Sequence, residues 1–544
     1  MPWPDEVRLP MRREAHFGDR VVRCFADRHN DIDQLVRAVV ARDPDAEALV
    51  LDRTRLSYGA LDDQVARVAA NLARRCGVGG GDRVALFSGN CIEFALAVLA
   101  CARLGAVSVP LGHRLQTPEL AYMIGHSGAK VVAVEAQLAE RLPARAAMPE
   151  MRHLLAFEGD APGCAPFAEL LADAPAPPRP DIDEEQVACI LYTSGTTGRP
   201  KGAMLTHVNI IHTMLHYQLC MDLSAREHRT LMAVPITHVT GLVAQLLCMI
   251  GIGGTTVLMR AFKARAALEL ISAERITHGV MVPAMYKLML MDPEFDRFDL
   301  SSLRVGGFGG APMPEATIEE LARRAPSVKL RNAYGATETT SPATLLPIGK
   351  AATHKHTVGL PLPCADLIVV DEDGRELPRG ATGEIWIAGP MVVPGYWRNE
   401  DANASEFTGG YWHSGDIGRF TEDGYLQILD RAKDMINRGG YKVFSAEVEN
   451  VLVQHPAVVE CAVVARPDPV LGERVHAFVL ADGEVNADGL RSFCGERLAD
   501  YKIPEIVTFT DQPLPRNANG KVVKSELRAR AVALAAEWGE EATA

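Results

Sequence analysis

Up to about residue 360 the apolar positions alternate between two textures: short unbroken runs, and longer stretches with helical spacing. Residues 30–75 read as a helix, a strand pair and a second helix, with Ser57 placed to cap 58–75. A glycine turn leads into a strand at 81–87, an Ala-rich apolar helix at 92–104 and a strand at 106–110. Further strands in the same strand–helix order are expected at 130–134, 230–234, 254–259, 278–282 and 302–306. Strands alternating with helices predict a parallel sheet in an α/β architecture. The most apolar stretch, 241–259, is broken by Gln245, Gly251, Gly253 and Gly254. It reads as a buried helix, a glycine turn and a strand rather than a membrane span. A proline-rich stretch near residues 172–182 reads as a linker inside the first domain.

Past residue 360 the strand-like runs become short and close together, at 367–370, 383–387 and 425–429. Asp-Gly turns at 373–374 and 423–424 separate them, which predicts a small β-rich subdomain. Another unit begins near 431, with a helix at 446–453, strands at 458–465 and 474–480, and a helix at 487–497. The expected organisation is α/β layers with a β-rich subdomain over 1–430, a short connector at 431–434, and a small α+β domain over 435–544.

Composition narrows the classes. A chain of 544 residues is too long for one core. Its 48% hydrophobic and 23% charged content is that of an ordinary globular protein. The net charge of −13 and the lack of a dense Lys/Arg tract argue against a nucleic-acid partner. Eleven scattered cysteines with no C-x-x-C pair suit a reducing compartment. The N-terminal stretch has no apolar signal core, so a cytoplasmic location is expected.

The strongest chemical signal is YTSGTTGRPKG at 192–202. Thr193, Ser194, Thr196 and Thr197 supply hydroxyls, Gly195 and Gly198 let the backbone approach a ligand, and Lys201 adds a cation. Such a loop suits a polyphosphate, although it does not fit the Walker A pattern. The second signal is NAYGATET at 332–339. Tyr334 and Gly335 offer an aromatic face with close backbone access. Thr337 adds a hydroxyl, and Glu338 adds a carboxylate of the kind Mg²⁺ prefers. Asp416, on a Ser-Gly-Asp turn, can accept both hydroxyls of a ribose diol. Lys521, in the loop LPRNANGK, is a mobile point charge suited to a phosphoryl centre.

These strings, in this order over about residues 30–530, resemble the adenylate-forming superfamily of acyl- and aryl-CoA synthetases, luciferases and peptide-synthetase adenylation domains. The chain looks most like an acyl- or aryl-CoA ligase. The resemblance implies a small domain that is mobile about a hinge at Lys433. It implies that Tyr334 stacks on adenine, Thr337 contacts the α-phosphate, Glu338 holds Mg²⁺, and Asp416 and Arg431 bind the ribose. Gly309, Gly310 and Ala311 would border the adenine, and Gly439 and Gly440 the pantetheine of CoA. Lys521 would be the adenylation lysine. Its P-x-x-x-x-G-K context also matches the pattern that lysine acetyltransferases recognise, and acetylation would remove the charge. His238 would stand beside the substrate carboxylate. The acyl pocket would be lined by His238, Met281, Phe308, Gly309 and Thr339, with Phe308 and Thr237 departing from the usual residues. The implied substrates are ATP, CoA and a medium-chain, alicyclic or aromatic acid. Self-association as a homodimer stays open. Three other readings stay open too: loading of a carrier-protein phosphopantetheine thiol, a luciferase-type oxygenase, and a non-catalytic ATP-binding regulator.

Overall fold

The computed structural model describes residues 3, 9–193, 199–223, 227–516 and 522–541, the last seven by backbone only. The chain folds as two compact units. One takes 1–367, 386–413 and 424–426; the other takes 368–385, 414–423 and 427–544.

The first unit is built on two large sheets. One has the strand order Leu360–Pro361, Ser341–Leu345, Lys329–Ala336, Val305–Gly309, His278–Met281, Arg229–Met232, Thr255–Leu258, Glu47–Leu51, Thr54–Ser57. Its central strands are parallel. The other has the order Lys201–Thr206, Val187–Thr193, Val107–Gly112, Arg83–Ser88, Val131–Glu135, His153–Phe157, Ala165–Pro166. Strand Arg83–Ser88 shows why such runs read as continuous rather than alternating. Val84 and Leu86 join one core cluster, while Ala85 and Phe87 join the cluster on the opposite face. The first of these clusters unites Leu49 and Leu258 of one sheet and Leu86 and Leu191 of the other. The helices Ile32–Arg42, Tyr58–Cys76 and Ile92–Leu104 pack into it. Ser57 caps the second helix as expected, accepting from the Ala60 N–H at 3.2 Å.

The apolar stretch at 241–259 resolves into a wide π-type helix Thr240–Leu247, an α-turn Cys248–Ile252, a left-handed Gly253 and the strand Thr255–Leu258. No helix among the described residues is long and apolar enough to cross a membrane. An N-terminal hairpin, Met11–His16 with Arg20–Phe25, is held by Arg28, which bonds both Glu14 and Glu184 at 2.9 Å.

The second unit has an α+β core. Its sheet has the order Tyr441–Val443, Ile436–Arg438, Gly472–Ala481, Val458–Asp468, with Ile506–Thr510 parallel to Gly472–Ala481. Helices Ser445–Leu452 and Ala487–Gly495 pack through Val448 and Leu490 on one face. Helix Lys524–Glu541 packs through Leu527 and Ala531 on the other, against Ala462, Val464 and Phe478. The β-rich texture past residue 360 forms a further sheet, ordered Asp366–Val370, Gly383–Ala388, Tyr411–Phe420, Phe407–Thr408, with Leu426–Arg431 beside Tyr411–Phe420. Residues 368–385 and 414–423 of this region group with the C-terminal residues.

Helix His207–Cys220 buries a histidine, His212, whose ring makes two bonds that only the neutral form can make together. Nε2 accepts the Phe25 N–H at 3.2 Å, and Nδ1 faces the Val208 carbonyl at 2.9 Å. Burial pushes its pKa down to about 3 from an ordinary 6.5. Above the ordinary value the ring is neutral in both folded and unfolded chains. Below it only the unfolded chain takes up the proton, so stability falls as pH drops from 6.5 towards about 3. One such group contributes a slope of about 1.4 kcal/mol per pH unit. His212→Gln should remove a slope of that size from unfolding free energies measured between pH 6 and pH 4.5. Equal slopes in the two proteins would refute the assignment.

Candidate functional site

The strand Lys329–Ala336 delivers the central carboxylate. It runs parallel to Val305–Gly309, with Gly309 in register with Ala333. The Gly309–Gly310–Ala311 turn and the Tyr334–Gly335 pair therefore stand side by side at strand carboxyl ends, where ligand crevices of open parallel sheets form. Both glycines are required at this point. A Cβ on Gly309 would lie 2.4 Å from the Ala333 carbonyl oxygen, and one on Gly335 would lie 1.7 Å from that of Ser341. Gly310 and Ala311 are exposed, and Tyr334 is half-buried.

After this strand the chain makes one tight turn, Thr337–Thr339, and enters strained backbone. Thr340 and Ser341 have φ of 53° and 110°, values that side-chain-bearing residues avoid. Hydrogen bonds hold the strain in place. Thr340 donates to the Met391 carbonyl at 2.7 Å, and the Ser341 and Tyr217 hydroxyls bond at 2.9 Å. The Thr339 hydroxyl is fully buried between the Ala336 and Ser341 carbonyls, at 3.1 and 2.8 Å. This locked turn aims Glu338 inward and leaves Thr337 half-buried beside it.

Glu338 is buried, and burial raises its pKa against the lowering pull of the Tyr396 hydroxyl and Lys201. Thr193 donates to its Oε1 at 3.3 Å. The Tyr396 hydroxyl lies 3.0 Å from the same Oε1 and 2.8 Å from Glu406 Oε2. Its single proton serves one carboxylate at a time. The Trp412 indole donates back to the phenol oxygen at 3.3 Å. Lys201 completes the group, with Nζ 2.6 Å from Glu406 Oε2 and 4.4 Å over the Tyr396 ring. Two carboxylates and one ammonium thus meet around the Tyr396 phenol, with Glu338 buried and Glu406 half-buried.

Lys201 and Thr193 are a register pair on the antiparallel strands Val187–Thr193 and Lys201–Thr206. The base of this strand pair, at Thr193 and Lys201, therefore meets Glu338 and Glu406. Ser194, Gly195, Thr196, Thr197 and Gly198 lie outside the described residues, as does Lys521. Tyr396, Glu406 and Trp412 had no signal in the sequence that pointed to this site.

Two expected pocket residues are neighbours. Met281 and Phe308 are register partners on neighbouring parallel strands, so their side chains share a face. That face packs into a core cluster with Leu231, Leu268 and Tyr286, where Phe308 is 4% and Met281 1% exposed. Both are buried in this apolar cluster. Thr339 is likewise buried, fixing its turn. His238 is half-buried just before the π-type helix, and its carbonyl accepts from Leu242 N–H at 2.8 Å. Gly241 gives the chain room there, since a Cβ would sit 2.2 Å from the Pro235 carbonyl oxygen.

In the second unit, Asp416 and Arg431 meet directly. Arg431 Nε is 2.7 Å from Asp416 Oδ1, and its Nη1 donates to the Ser414 carbonyl at 3.3 Å. The Ala432 N–H also bonds the Gly415 carbonyl at 2.8 Å. A buried carboxylate is thus presented with a half-exposed guanidinium on one side. Glu384, which accepts from the Gly415 N–H at 3.1 Å, braces the same turn. Lys433 is exposed in the connection from Leu426–Arg431 to Ile436–Arg438. Gly439 and Gly440 form the exposed two-residue turn of the hairpin Ile436–Arg438/Tyr441–Val443, with φ of 57° and 88°.

Among the described residues one other group has metal-ligand spacing, Glu14, His16 and Cys24. The Arg28 and Arg12 guanidiniums hold the Glu14 carboxyl at about 2, so its charge is already matched and the group anchors the N-terminal hairpin.

Residues 36–397 match the family model of AMP-binding enzymes, and residues 447–521 match that of the AMP-binding enzyme C-terminal domain. Feruloyl-CoA synthase from an Amycolatopsis species is 38% identical over 489 residues, covering 90% of this chain and 96% of that protein. The structure is similar to o-succinylbenzoate coenzyme A synthetase from Bacillus subtilis in complex with ATP and magnesium ion. The TM-score is 0.80 and the identity 29%, over 91% of this chain and 98% of that one. It is also similar to the anthranilate CoA ligase AuaEII in complex with anthranoyl-AMP, with a TM-score of 0.85 and 26% identity over 94% and 99% of the two chains. The buried carboxylate on its strained turn, the glycine-rich hairpin beside it and these matches along the chain agree: the protein belongs to the AMP-binding enzyme family, among its AMP-forming acyl- and aryl-CoA ligases.

Proposed function

We propose that the protein activates an aromatic carboxylic acid with ATP and transfers the acyl group to CoA. The observation that carries the reading is the Glu338 carboxylate, buried beside the base of the glycine-rich hairpin and bonded to Thr193 and Tyr396. In the first half-reaction the acid's carboxylate oxygen attacks the α-phosphorus of ATP, and the bond to pyrophosphate breaks. In the second the CoA thiol attacks the acyl carbon, AMP leaves, and the thiol proton passes to solvent.

Each expected residue takes a part. The backbone and hydroxyls of 193–198 hold the leaving pyrophosphate. Lys201, paired with Glu406, anchors the loop's base and is secondary in catalysis. Tyr334 and the Gly309–Ala311 turn receive the adenine, Asp416 and Arg431 the ribose, and Thr337 the α-phosphate. Glu338 and Thr193 offer only oxygen donors, the set that Mg²⁺ prefers, and the ion would offset phosphate charge when bound there with ATP. Lys521 supplies the positive charge that stabilises the pentavalent phosphorus centre. The domain over 435–544 then turns about Lys433, so that Lys521 leaves and the Gly439–Gly440 turn borders the pantetheine. The three boundaries 1–430, 431–434 and 435–544 belong to this functional reading.

The aromatic substrate is supported by the printed names of the feruloyl, o-succinylbenzoate and anthranilate enzymes. His238 stands at the carboxylate end of this acid.

AMP release with CoA present should be fastest with an aromatic or arylalkenoic acid in a panel that also holds straight-chain acids of six to sixteen carbons. A straight-chain optimum would overturn the substrate class. Replacing CoA by a carrier protein's phosphopantetheine should slow turnover, whereas faster turnover would make the carrier the acceptor. Lys521→Ala should lower acid-dependent ATP–pyrophosphate exchange on the order of 10²–10³-fold, while thioester formation from supplied acyl-adenylate is spared. Equal loss in both half-reactions would refute its assignment.

Tyr396→Phe removes the proton between Glu338 and Glu406. Leaving both carboxylates without that donor should cost about 1–3 kcal/mol in equilibrium urea unfolding, along with slower pyrophosphate exchange. Unchanged stability and exchange would show that the phenol is not needed.

A further inference from the structure

Helix Lys524–Glu541 begins three residues after Lys521 and carries two cations one helical turn apart. Lys524 Nζ lies 2.7 Å from Glu449 Oε1 and donates to the Ser445 hydroxyl, also at 2.7 Å. Ser445 is fully buried and passes the connection on, its hydroxyl bonding Asp430 Oδ1 at 3.1 Å and its N–H bonding Asp430 Oδ2. Asp430 is itself buried and immediately precedes Arg431. One turn along the helix, Arg528 forms an ion pair with Asp434, which immediately follows Lys433. The helix therefore grips residues 430–434 at both ends. Leu527 and Ala531, beside these cations on the helix, fix it in the core of the second unit.

The base of the Lys521 loop is tied to the same body. The Val523 N–H bonds the Pro515 carbonyl at 2.8 Å, and Arg516 and Val522 form a β-bridge. The Leu514 N–H bonds Glu460 Oε2 at 3.1 Å, and Arg516 pairs with the same carboxylate. Glu449, the partner of Lys524, is held in turn by the Val463 N–H at 2.7 Å.

We infer that Lys524 and Arg528 are positioning residues that clamp the base of the Lys521 loop to the 430–434 connector, so that Lys521 is held in place while the connector keeps this conformation, and rotation at 431–433 has to release one end of the clamp. This rests on the reading of Lys521 as the adenylation lysine and of Lys433 as the hinge. The clamp touches no substrate. It acts through the placement of one lysine, whose benefit to a developing phosphoryl charge depends on distance. A displacement of about 1 Å can cost on the order of 10²-fold in rate. A clamp of this kind matters in the half-reaction that uses Lys521 and much less in the one that it leaves.

The test measures the two half-reactions separately in the full-length protein. These are acid-dependent ATP–pyrophosphate exchange, and thioester formation from supplied acyl-adenylate and CoA. Arg528→Asp and Lys524→Met should each slow exchange by about tenfold or more while thioester formation stays within about threefold of the unaltered protein. The KM for ATP should hold while kcat for exchange falls. Exchanging the pair, Arg528→Asp with Asp434→Arg, should restore exchange to within about threefold, since the charge pair is rebuilt with its polarity reversed. Lys524→Arg should likewise retain most of it. Equal losses in both half-reactions, no loss in either, or a swap that fails to restore exchange in a protein with the same thermal midpoint would each overturn the clamp. Lys521→Ala, run beside them, separates this idea from the reading beneath it. If Lys521→Ala leaves exchange intact, the lysine assignment fails. If Lys521→Ala abolishes exchange and the clamp variants do not reduce it, the clamp alone fails.

Discussion

A phenol between a buried and a half-buried carboxylate sets the terms for the first unit. Tyr396 lies within hydrogen-bond distance of both Glu338 and Glu406, and Lys201 sits over its ring and against Glu406. Without these partners either carboxylate would give up its charge, because burying an unpaired carboxylate is far more costly than protonating it. The pairing is asymmetric. Glu406 has the ammonium, and Glu338 accepts from the hydroxyls of Tyr396 and Thr193. Strain in the turn that follows Glu338 is part of the same arrangement. Thr340 and Ser341 could relax to ordinary backbone only by releasing their bonds to Met391 and Tyr217, and with them the aim of the carboxylate.

The α/β layering was legible because the parallel strands are buried on both faces and read as short continuous apolar runs between helices. The cap at Ser57 and the glycine turns at 77 and 105 carried their usual local chemistry. Glu338 could be read from its own string, since Tyr-Gly-Ala-Thr-Glu is local and its neighbours supply the turn. Tyr396, Glu406 and Trp412 could not. They come from a segment that no local chemistry marks, and folding alone brings them to Glu338. The wide helix at 240–247 was also out of reach, because apolar content predicts burial and says little about hydrogen-bond register.

Phe308 and Met281 show a different limit. Both stand near strand ends, where ligands bind, and both are apolar enough to line a pocket. Which face a strand residue occupies depends on parity, and parity is fixed by register with neighbours that a single sequence does not supply. One step along the same strand, Gly309 meets the Ala333 carbonyl instead of the core. Glycine there is a steric requirement of the backbone before it is a feature of any pocket.

Register also fixes the hairpin of strands Val187–Thr193 and Lys201–Thr206. Thr193 and Lys201 are cross-strand partners at its mouth, so the side chains that close the loop are fixed to each other by the ladder. Thr193 is bonded to Glu338 and Lys201 to Glu406. Each end of the loop is thereby referenced to one of the two carboxylates that share Tyr396. A ligand that draws on the loop at one end and on Glu338 at the other meets a single braced unit rather than two independent sites. Lys201, which looks in the sequence like a cation meant for phosphate, is already paired with Glu406.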